Sequence, residues 1–441
     1  MGKKALSAAL LAATMLTVAG CSGASGSADP NETAVAPLDP GSVSGDITVL
    51  TNRTDLVQDK TMEKYAAEFN KTYPEVKVEF EGITDYEGEV KIRMNTKNYG
   101  DVLLIPSAIS KGDYPDFFAP LGNAGSMKDT YRFTDKTDVD GKVYGIAAYG
   151  TANGFVYNKA LWKKAGITEW PTTPEQFLDD LKAVKDKTGA TPYYTNFKDG
   201  WPLAGQWTNS VGSVSCDTQA SDKLAATDEP WGEGTDLNAL DTLLHDIVHQ
   251  KLSEKDPSTT NWESSKTLLA KGEIGSMMLG NWAIAQMRDA AEKAGENPDD
   301  IGFMPAPFQQ NGQFCATLVS DYQQAVNIHS DNKAAARAWI DWFTEKSGYS
   351  AKDGVVSALL KEPLPENLEE YVDNDVKMVE RSEKQTVQVN AIDDAAEIGL
   401  GKQDYRRKLI DIARGAQDGS LQGYFDELNE RWSEARKTAG S

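Results

Sequence analysis

The aromatic residues outside amphipathic helical patterns gather in polar turns marked by glycine and proline. Tyr193 to Leu203 alternates Tyr, Phe and Trp with Asn, Lys and Asp; Trp207 follows, then Asn261-Trp262, Gly280-Asn281-Trp282 and Asp321-Tyr322. A flat indole or phenol face packs on the C–H face of a pyranose, while Asn, Asp, Arg and Lys hydrogen-bond its hydroxyls. A carboxylate accepting from a hydroxyl, or an arginine donating to one, makes the stronger, charge-assisted bond. The competing reading of any single ring is core packing. Several rings sharing one local composition outweigh one.

Patterns that would make or break bonds do not survive inspection. His245-Asp246-Ile247-Val248-His249 has the outline of a zincin helix, but its acid is Asp, one methylene short of the usual Glu. The third histidine of the chain is the distant His329, so two polar residues on a helix flank explain the pair and no metal is expected. Lys187-Thr188-Gly189 and Ser330-Asp331-Asn332 copy two motifs of serine acyl-transferases in the wrong order. A helix end at Gly189 and a helix cap at Ser330 account for both. No nucleophile elbow, phosphate loop or dinucleotide glycine fingerprint appears, and no cofactor is expected. Acids are plentiful, so a glycosidase carboxylate pair stays open, with nothing singling out two of them.

The elements that must position these residues read as alternating strands and helices. Ile47–Leu50 is a strand, and the polar turn Thr51–Asp55 follows. Met62, Tyr65, Ala66, Phe69 and Tyr73 then recur at helical spacing up to Pro74. Val76–Phe80 and Asp101–Ile105 are the next strands, so the opening predicts a parallel sheet with right-handed crossovers. Tyr144–Ile146 and Phe155–Lys159 are further strand pieces. Thr173-Pro174-Glu175-Gln176 starts a helix, with Thr at N-cap, Pro at N1 and Gln at N3. Asp236–Leu252 is amphipathic, with Leu240, Leu243, Leu244, Ile247 and Val248 on one face. Ile274–Leu279, closed by Gly280, is a buried strand. From Asn281, a candidate N-cap, a helix carries Ile284, Met287 and Ala291. Trp282 therefore sits on a strand-to-helix turn, where ligands of α/β sheets bind, or else anchors its own helix. The last hundred residues are mostly helical, ending in Phe425–Ala435, and there is no internal repeat.

Length and charge narrow the class. The 441 residues exceed one ordinary core, and 67 acids against 45 bases give a formal charge of −22. Such a surface repels phosphate backbones, which argues against nucleic acid and against an anionic membrane surface as partners. At the N-terminus, Lys3 and Lys4 precede the apolar run Ala5–Val18, which ends in Val18-Ala19-Gly20-Cys21. This is a secretory leader, too short for the about 20 apolar residues of a membrane span. Its last four residues resemble a bacterial lipobox, in which Cys21 is diacylated, whereas Leu6 fails the myristoylation pattern. Residues 1–21 are thus read as signal peptide and 22–45 as a flexible tether with a reach of roughly 25 Å. In an oxidising compartment Cys216 and Cys315 can pair; the reading taken here is two small buried residues.

Taken together, the body from Ile47 to about Arg436 resembles the extracellular sugar-binding proteins of bacterial ABC importers, the family that includes maltose-binding proteins. The resemblance rests on the lipobox, Thr51–Asp55, Ala152–Lys159, Pro171–Phe177, the Asn261-Trp262 to Trp282 block, Met304–Pro307 and Asp321–Asn327, in that order. It implies a type II periplasmic-binding-protein-like α/β fold, two lobes joined by hinge strands. Lobe one is 46–151 with 316–347; lobe two is 152–315 with 348–441. The crossings fall near Thr151–Phe155, Phe314–Val319 and Ser347. It also implies ligand contacts from Arg53, Asp55, Tyr86 and Ser107 in one lobe. Trp201, Trp207 and Trp282, with Lys198 and Asn281, come from the other, and Asp321 and Tyr322 from a returning segment. The expected function is capture of a neutral sugar, an oligosaccharide, by hinge closure and its delivery to ABC permease subunits. The expected protein is a monomer held to the outer face of the membrane by the lipid alone, and it is not an enzyme. The alternatives are a surface-anchored glycoside hydrolase or lyase, and a binding protein for peptide or another polar solute.

Overall fold

The computed structural model describes residues 34–107 and 109–439. The expected leader with Cys21, and the first part of the expected tether, lie outside them. The rest of that tether is docked rather than free. The Val35 N–H donates to Pro120 O at 2.8 Å, Arg337 reaches Val35 O at 2.8 Å, and Val43 is buried.

The chain opens with strand β1 (Gly45–Thr51), helix α1 (Thr61–Phe69), strand β2 (Val76–Gly82), helix α2 (Tyr86–Arg93) and strand β3 (Val102–Leu104). Strand β4 (Gly150–Asn158), helix α3 (Pro174–Thr188), strand β5 (Thr191–Tyr193), helices α4 (Asp236–His249) and α5 (Trp262–Ala270), strand β6 (Ile274–Gly280), helix α6 (Trp282–Ala294) and strand β7 (Ile301–Met304) follow. The chain then returns through β8 (Gln313–Ser320), β9 (Gln323–Asn327) and α7 (Lys333–Glu345). It finishes with β10 (Lys377–Glu380), α8 (Thr386–Ala396), α9 (Asp404–Ala413) and α10 (Leu421–Ala439).

These strands form two main sheets. The first runs β2-β1-β3-β9 and on to Phe118–Ala119, with Ile146–Ala147 also on β9. β1 is parallel to β2 and β3, as the opening pattern requires, whereas the returning β9 is antiparallel to β3. The second runs β5-β6-β4-β8 and on to Gln309–Gln310, with β7 on β4 and β10 on β8. β4 is its axis, and every residue of β4 and β6 is buried because both faces are covered.

Each sheet has its own core. Phe69 of α1 and Trp339 and Phe343 of α7 pack over the first sheet. Phe177 of α3, Leu240 and Leu244 of α4, Leu409 of α9 and Leu428 of α10 pack over the second. Burying each such side chain contributes about 1.5–3 kcal/mol, which is why helices with one apolar face settle there. A third cluster straddles the crossing between sheets and joins Ala152 of β4, Leu279 of β6, Leu318 of β8, Val356 and Phe133.

Local signals hold where partners are near in sequence. Thr173 caps α3, accepting from the Gln176 N–H at 3.2 Å, and the helix ends at Gly189. Three expectations need correction. The cap of α7 is Asn332 rather than Ser330, whose hydroxyl instead donates to Asp101 Oδ1 at 2.5 Å. Asn281 stands at the N-cap of α6 with helical backbone and makes no capping bond. Cys216 and Cys315 form a disulfide, Cα–Cα 5.5 Å, tying the segment after Trp207 to β8.

Candidate functional site

The end of β6 is shaped by its glycine. A Cβ at Gly280 would meet Trp282 Nε1 at 2.5 Å and press on Thr151 Oγ1, so only glycine lets the indole fold back over the strand end. Trp282 there meets two more indoles. Ring centroids are 5.8 Å apart for Trp201–Trp282, 5.7 Å for Trp262–Trp282 and 5.2 Å for Trp201–Trp262. All three rings are half-buried, each retaining open surface.

Two loops hold this triangle. The Asn261 N–H donates to the Tyr194 hydroxyl at 2.8 Å, the Trp262 N–H to the Asp199 carboxylate at 2.6 Å, and the Lys198 N–H to Thr260 Oγ1 at 2.8 Å. Behind Trp201 the chain makes a π-helical turn over Pro202–Gln206. Arg406 of α9 fixes it, donating to Leu203 O at 2.9 Å and to Thr208 Oγ1 at 2.8 Å while its Nε pairs with Asp241 of α4 at 2.8 Å. Both charged side chains are fully buried. Burial alone would favour a neutral Arg406, but Asp241 outweighs it and the guanidinium stays charged.

The corresponding edge of the first sheet is polar. At the carboxyl end of β1, Arg53 pairs with Asp55 at 2.8 Å and donates to the Tyr349 hydroxyl at 2.5 Å and to the Asp353 carboxylate. Burial works against its charge, yet Asp55, Tyr349 and Asp353 together raise its pKa. Asp55 is itself held below the usual carboxylate range: its partial burial is overcome by the bond from Arg53. Asn52, Arg53, Tyr149, Tyr322, Gln324 and Tyr349 line one concavity here. Tyr322 donates to Glu87 at 2.7 Å, and the same carboxylate accepts the Ser107 N–H at 2.9 Å and hydroxyl at 3.0 Å. Burial, reinforced by Glu87, pushes the Tyr322 phenol pKa up, so it remains a donor. Asp321 accepts from the Tyr322 N–H at 2.7 Å and its own N–H donates to Tyr149 O at 3.0 Å.

The expected site residues therefore divide. Arg53, Asp55, Ser107, Asp321 and Tyr322 gather at one sheet's edge, and Trp201 and Trp282 at the other's. Lys198 is exposed beside the tryptophans, with its backbone in the loop brace. Tyr86 lies beneath the surface, 3% exposed, its hydroxyl bonded to Leu104 N at 2.7 Å and its ring 5.8 Å from Tyr322. It backs Tyr322 instead of facing outward. Trp207 is 1% exposed and packs edge-on against Phe155 and Tyr193, so it is a core anchor. Asn281 is also buried. Its Oδ1 accepts from Ala152 N at 2.9 Å and Thr151 Oγ1 at 3.1 Å, and its Nδ2 donates to Gly354 O at 2.7 Å. It braces the crossing.

Trp262 was absent from the expected set although its signal was in the chain: like Trp282 it follows an asparagine at the start of a helix. Glu87, Tyr349 and Asp353 had no such signal. The histidine pair of α4 has ordinary partners, His245 Nδ1 beside Asp246 at 2.8 Å and His249 Nδ1 beside Ala413 O at 3.3 Å. Among the described residues no group of three or more His, Cys, Asp or Glu is placed to hold a metal, and no helix is long and apolar enough to cross a membrane. A wider groove between the Trp231 turn and α10 is lined by Asp228, Glu229, Glu233, Asp426 and Glu430, and shares no residue with either edge described above.

The family model described as bacterial extracellular solute-binding protein matches residues 53–349. A binding protein of an ABC transporter from Bifidobacterium animalis subsp. lactis, solved with mannobiose, is 31% identical. It aligns over 93% of this chain and 98% of its own, with a TM-score of 0.81. A manno-oligosaccharide-specific solute-binding protein from the same organism, solved with mannotriose, is 29% identical over 90% and 96%, with a TM-score of 0.82. The diacetylchitobiose-binding protein DasA of Streptomyces coelicolor is 25% identical over 324 residues, 70% of each chain.

Proposed function

The chain belongs to the bacterial extracellular solute-binding proteins, and from that premise we propose that its two edges are the walls of one cleft that grips a neutral oligosaccharide. The family is a non-catalytic transport receptor of the type II periplasmic-binding fold, so the sugar is released unaltered to an ABC importer. The single observation that carries the sugar reading is the triangle of half-buried indoles, Trp201, Trp262 and Trp282. Three adjoining aromatic faces suit more than one pyranose ring, and the polar wall suits hydroxyls. Manno-oligosaccharides are the first class to test, because relatives 29% and 31% identical were solved with mannotriose and mannobiose.

The site we assign comprises Arg53, Asp55, Ser107, Asp321 and Tyr322 on the polar wall, and Trp201, Trp262 and Trp282 with Lys198 on the aromatic wall. Tyr86, Trp207 and Asn281 support it from behind. The lobes are 46–151 with 316–347 and 152–315 with 348–441. Every strand of the first sheet falls in the former division, while β4 and β8, which pair with each other up to Gly150 and Ser320, run across the bounds at 151/152 and 315/316, in keeping with crossing strands there. Binding favours closure of the lobes about β4, β8 and the segment after Ser347. The protein acts as a monomer, anchored outside the membrane through diacylated Cys21. Radiolabelled palmitate incorporated by the full chain and lost in Cys21→Ala supports the anchor, and equal labelling of both rejects it.

The test of the sugar reading is isothermal titration with mannobiose, mannotriose, maltotriose, raffinose, diacetylchitobiose and a tripeptide. Saturable binding to an oligosaccharide, at micromolar concentration or below and with the sugar recovered intact, is the expected result. Binding of the peptide alone, or hydrolysis of any sugar, overturns it.

A further inference from the structure

We propose that Asp353 is a positioning residue for Arg53, and that the dipeptide Asp353-Gly354 is a pivot setting both walls of the cleft from one point of the chain. The segment that carries it leaves α7, passes the Ser347 crossing and belongs to neither sheet. In the direction of the first sheet, the Tyr349 hydroxyl and the Asp353 carboxylate both receive Arg53 Nη1. In the direction of the second, the carbonyl of the next residue, Gly354, accepts Asn281 Nδ2 at 2.7 Å. Asn281 in turn holds Ala152 and Thr151 of β4 and directly precedes Trp282. Two residues on, Val356 exchanges both backbone hydrogen bonds with Gly150, at 2.7 and 2.9 Å, at the start of β4.

Three features make this more than a loop contact. The Arg53 and Asp353 side chains are 28% exposed each, so the pair is partly shielded from water. Gly354 adopts φ +63°, and a Cβ there would meet Asn367 Nδ2 at 2.6 Å; that amide also donates to Gly354 O at 2.8 Å. The carbonyl is thus aimed by a conformation that a side chain would disturb. Finally, Arg53 has two carboxylate partners of different kind. Asp55 lies two residues away on the same turn, whereas Asp353 lies 300 residues away on the crossing segment. Only the second can transmit the position of Arg53 to the opposite wall. A rotation of one sheet against the other that moves Arg53 relative to Asn281 loads this dipeptide, which is bonded to both.

The test uses the full chain without sugar, carrying spin labels at Lys71→Cys and Lys293→Cys, exposed sites on the two lobes, with inter-lobe distances read by pulsed EPR. Asp353→Asn, which keeps the shape and removes the charge, is expected to broaden or shift the distance distribution. Asp55→Asn, which removes the other carboxylate of Arg53, is expected to leave it as in the parent. Tyr349→Phe, the loss of one hydroxyl, should fall between them and serves if Asp353→Asn fails to fold. A parent-like distribution in Asp353→Asn and Tyr349→Phe, or equal broadening by Asp55→Asn, overturns the proposal. A second arm rests on the sugar reading: mannotriose affinity should fall roughly tenfold in Asp353→Asn, with the loss recovered in part by Asp353→Glu. If the parent itself ignores mannotriose, the choice of sugar fails, and the EPR arm still decides the pivot.

Discussion

The two walls of the proposed cleft are held by different means. Behind the aromatic wall stands a fully buried ion pair, Asp241–Arg406, whose guanidinium also holds the turn that follows Trp201. Behind the polar wall stand partly exposed pairs, Arg53 with Asp55 and Asp353, and the Glu87–Tyr322–Ser107 cluster. Rings that grip by area need a rigid backing, because a small tilt loses contact across the whole face. Side chains that grip by hydrogen bonds tolerate a softer backing, since each can reorient toward its hydroxyl. The Arg53–Asp55 pair, whose carboxylate is mostly exposed, opens at little cost when Arg53 meets a ligand.

Breaking the rigid wall should have the largest effect. Asp241→Asn leaves the Arg406 charge buried and unpaired, and should lower stability by about 3–5 kcal/mol in chemical denaturation. Asp55→Asn, removing a mostly exposed partner, should change stability by less than about 1 kcal/mol. Equal effects would remove the contrast between the walls. In binding, Trp282→Ala or Trp262→Ala should each cost about 2–4 kcal/mol of oligosaccharide affinity by titration calorimetry, with the fold intact by circular dichroism. Ser107→Ala, on the polar wall, should cost about 0.5–1.5 kcal/mol. Trp207→Phe sharpens the point from behind: it should lower the melting temperature while leaving affinity within about twofold, since its ring is core.

The smallest effect lies outside both walls. Burial, with Asp179 beside it, pushes the Asp180 carboxyl up to about 6. Its folded pKa exceeds the unfolded value of about 3.9, so the folded state binds the proton more tightly between those values and stability falls as pH rises through that window. Asp180→Asn should flatten this slope from pH 4 to 7 by a modest amount, discounted for its partial exposure, without altering sugar affinity.

What the sequence revealed follows the range of the interactions. The cap at Thr173, the parallel opening β1-α1-β2-β3 and the buried strand before Trp282 rest on neighbours a few residues apart, and all were legible. Asn281 was misread as a cap because its true partners, Ala152 and Gly354, are 129 and 73 residues away. The Cys216–Cys315 bond spans 99 residues and leaves no local trace. Trp207 and Trp262 share the composition of the site loops, yet the π turn at Pro202–Gln206 swings one ring into the core while an asparagine cap leaves the other at the surface. Composition located the aromatic cluster; which rings face outward is decided by distant packing, as of Trp207 against Phe155 of β4 and Tyr193 of β5, which no local pattern encodes.

Hydrogen–deuterium exchange with a saturating oligosaccharide probes the cleft most directly. Protection should rise at residues 51–55 and 321–322 on one side and at 199–201 and 261–282 on the other. Protection confined to a single sheet, or centred on the acidic groove beside Trp231, would contradict a ligand held between the two walls.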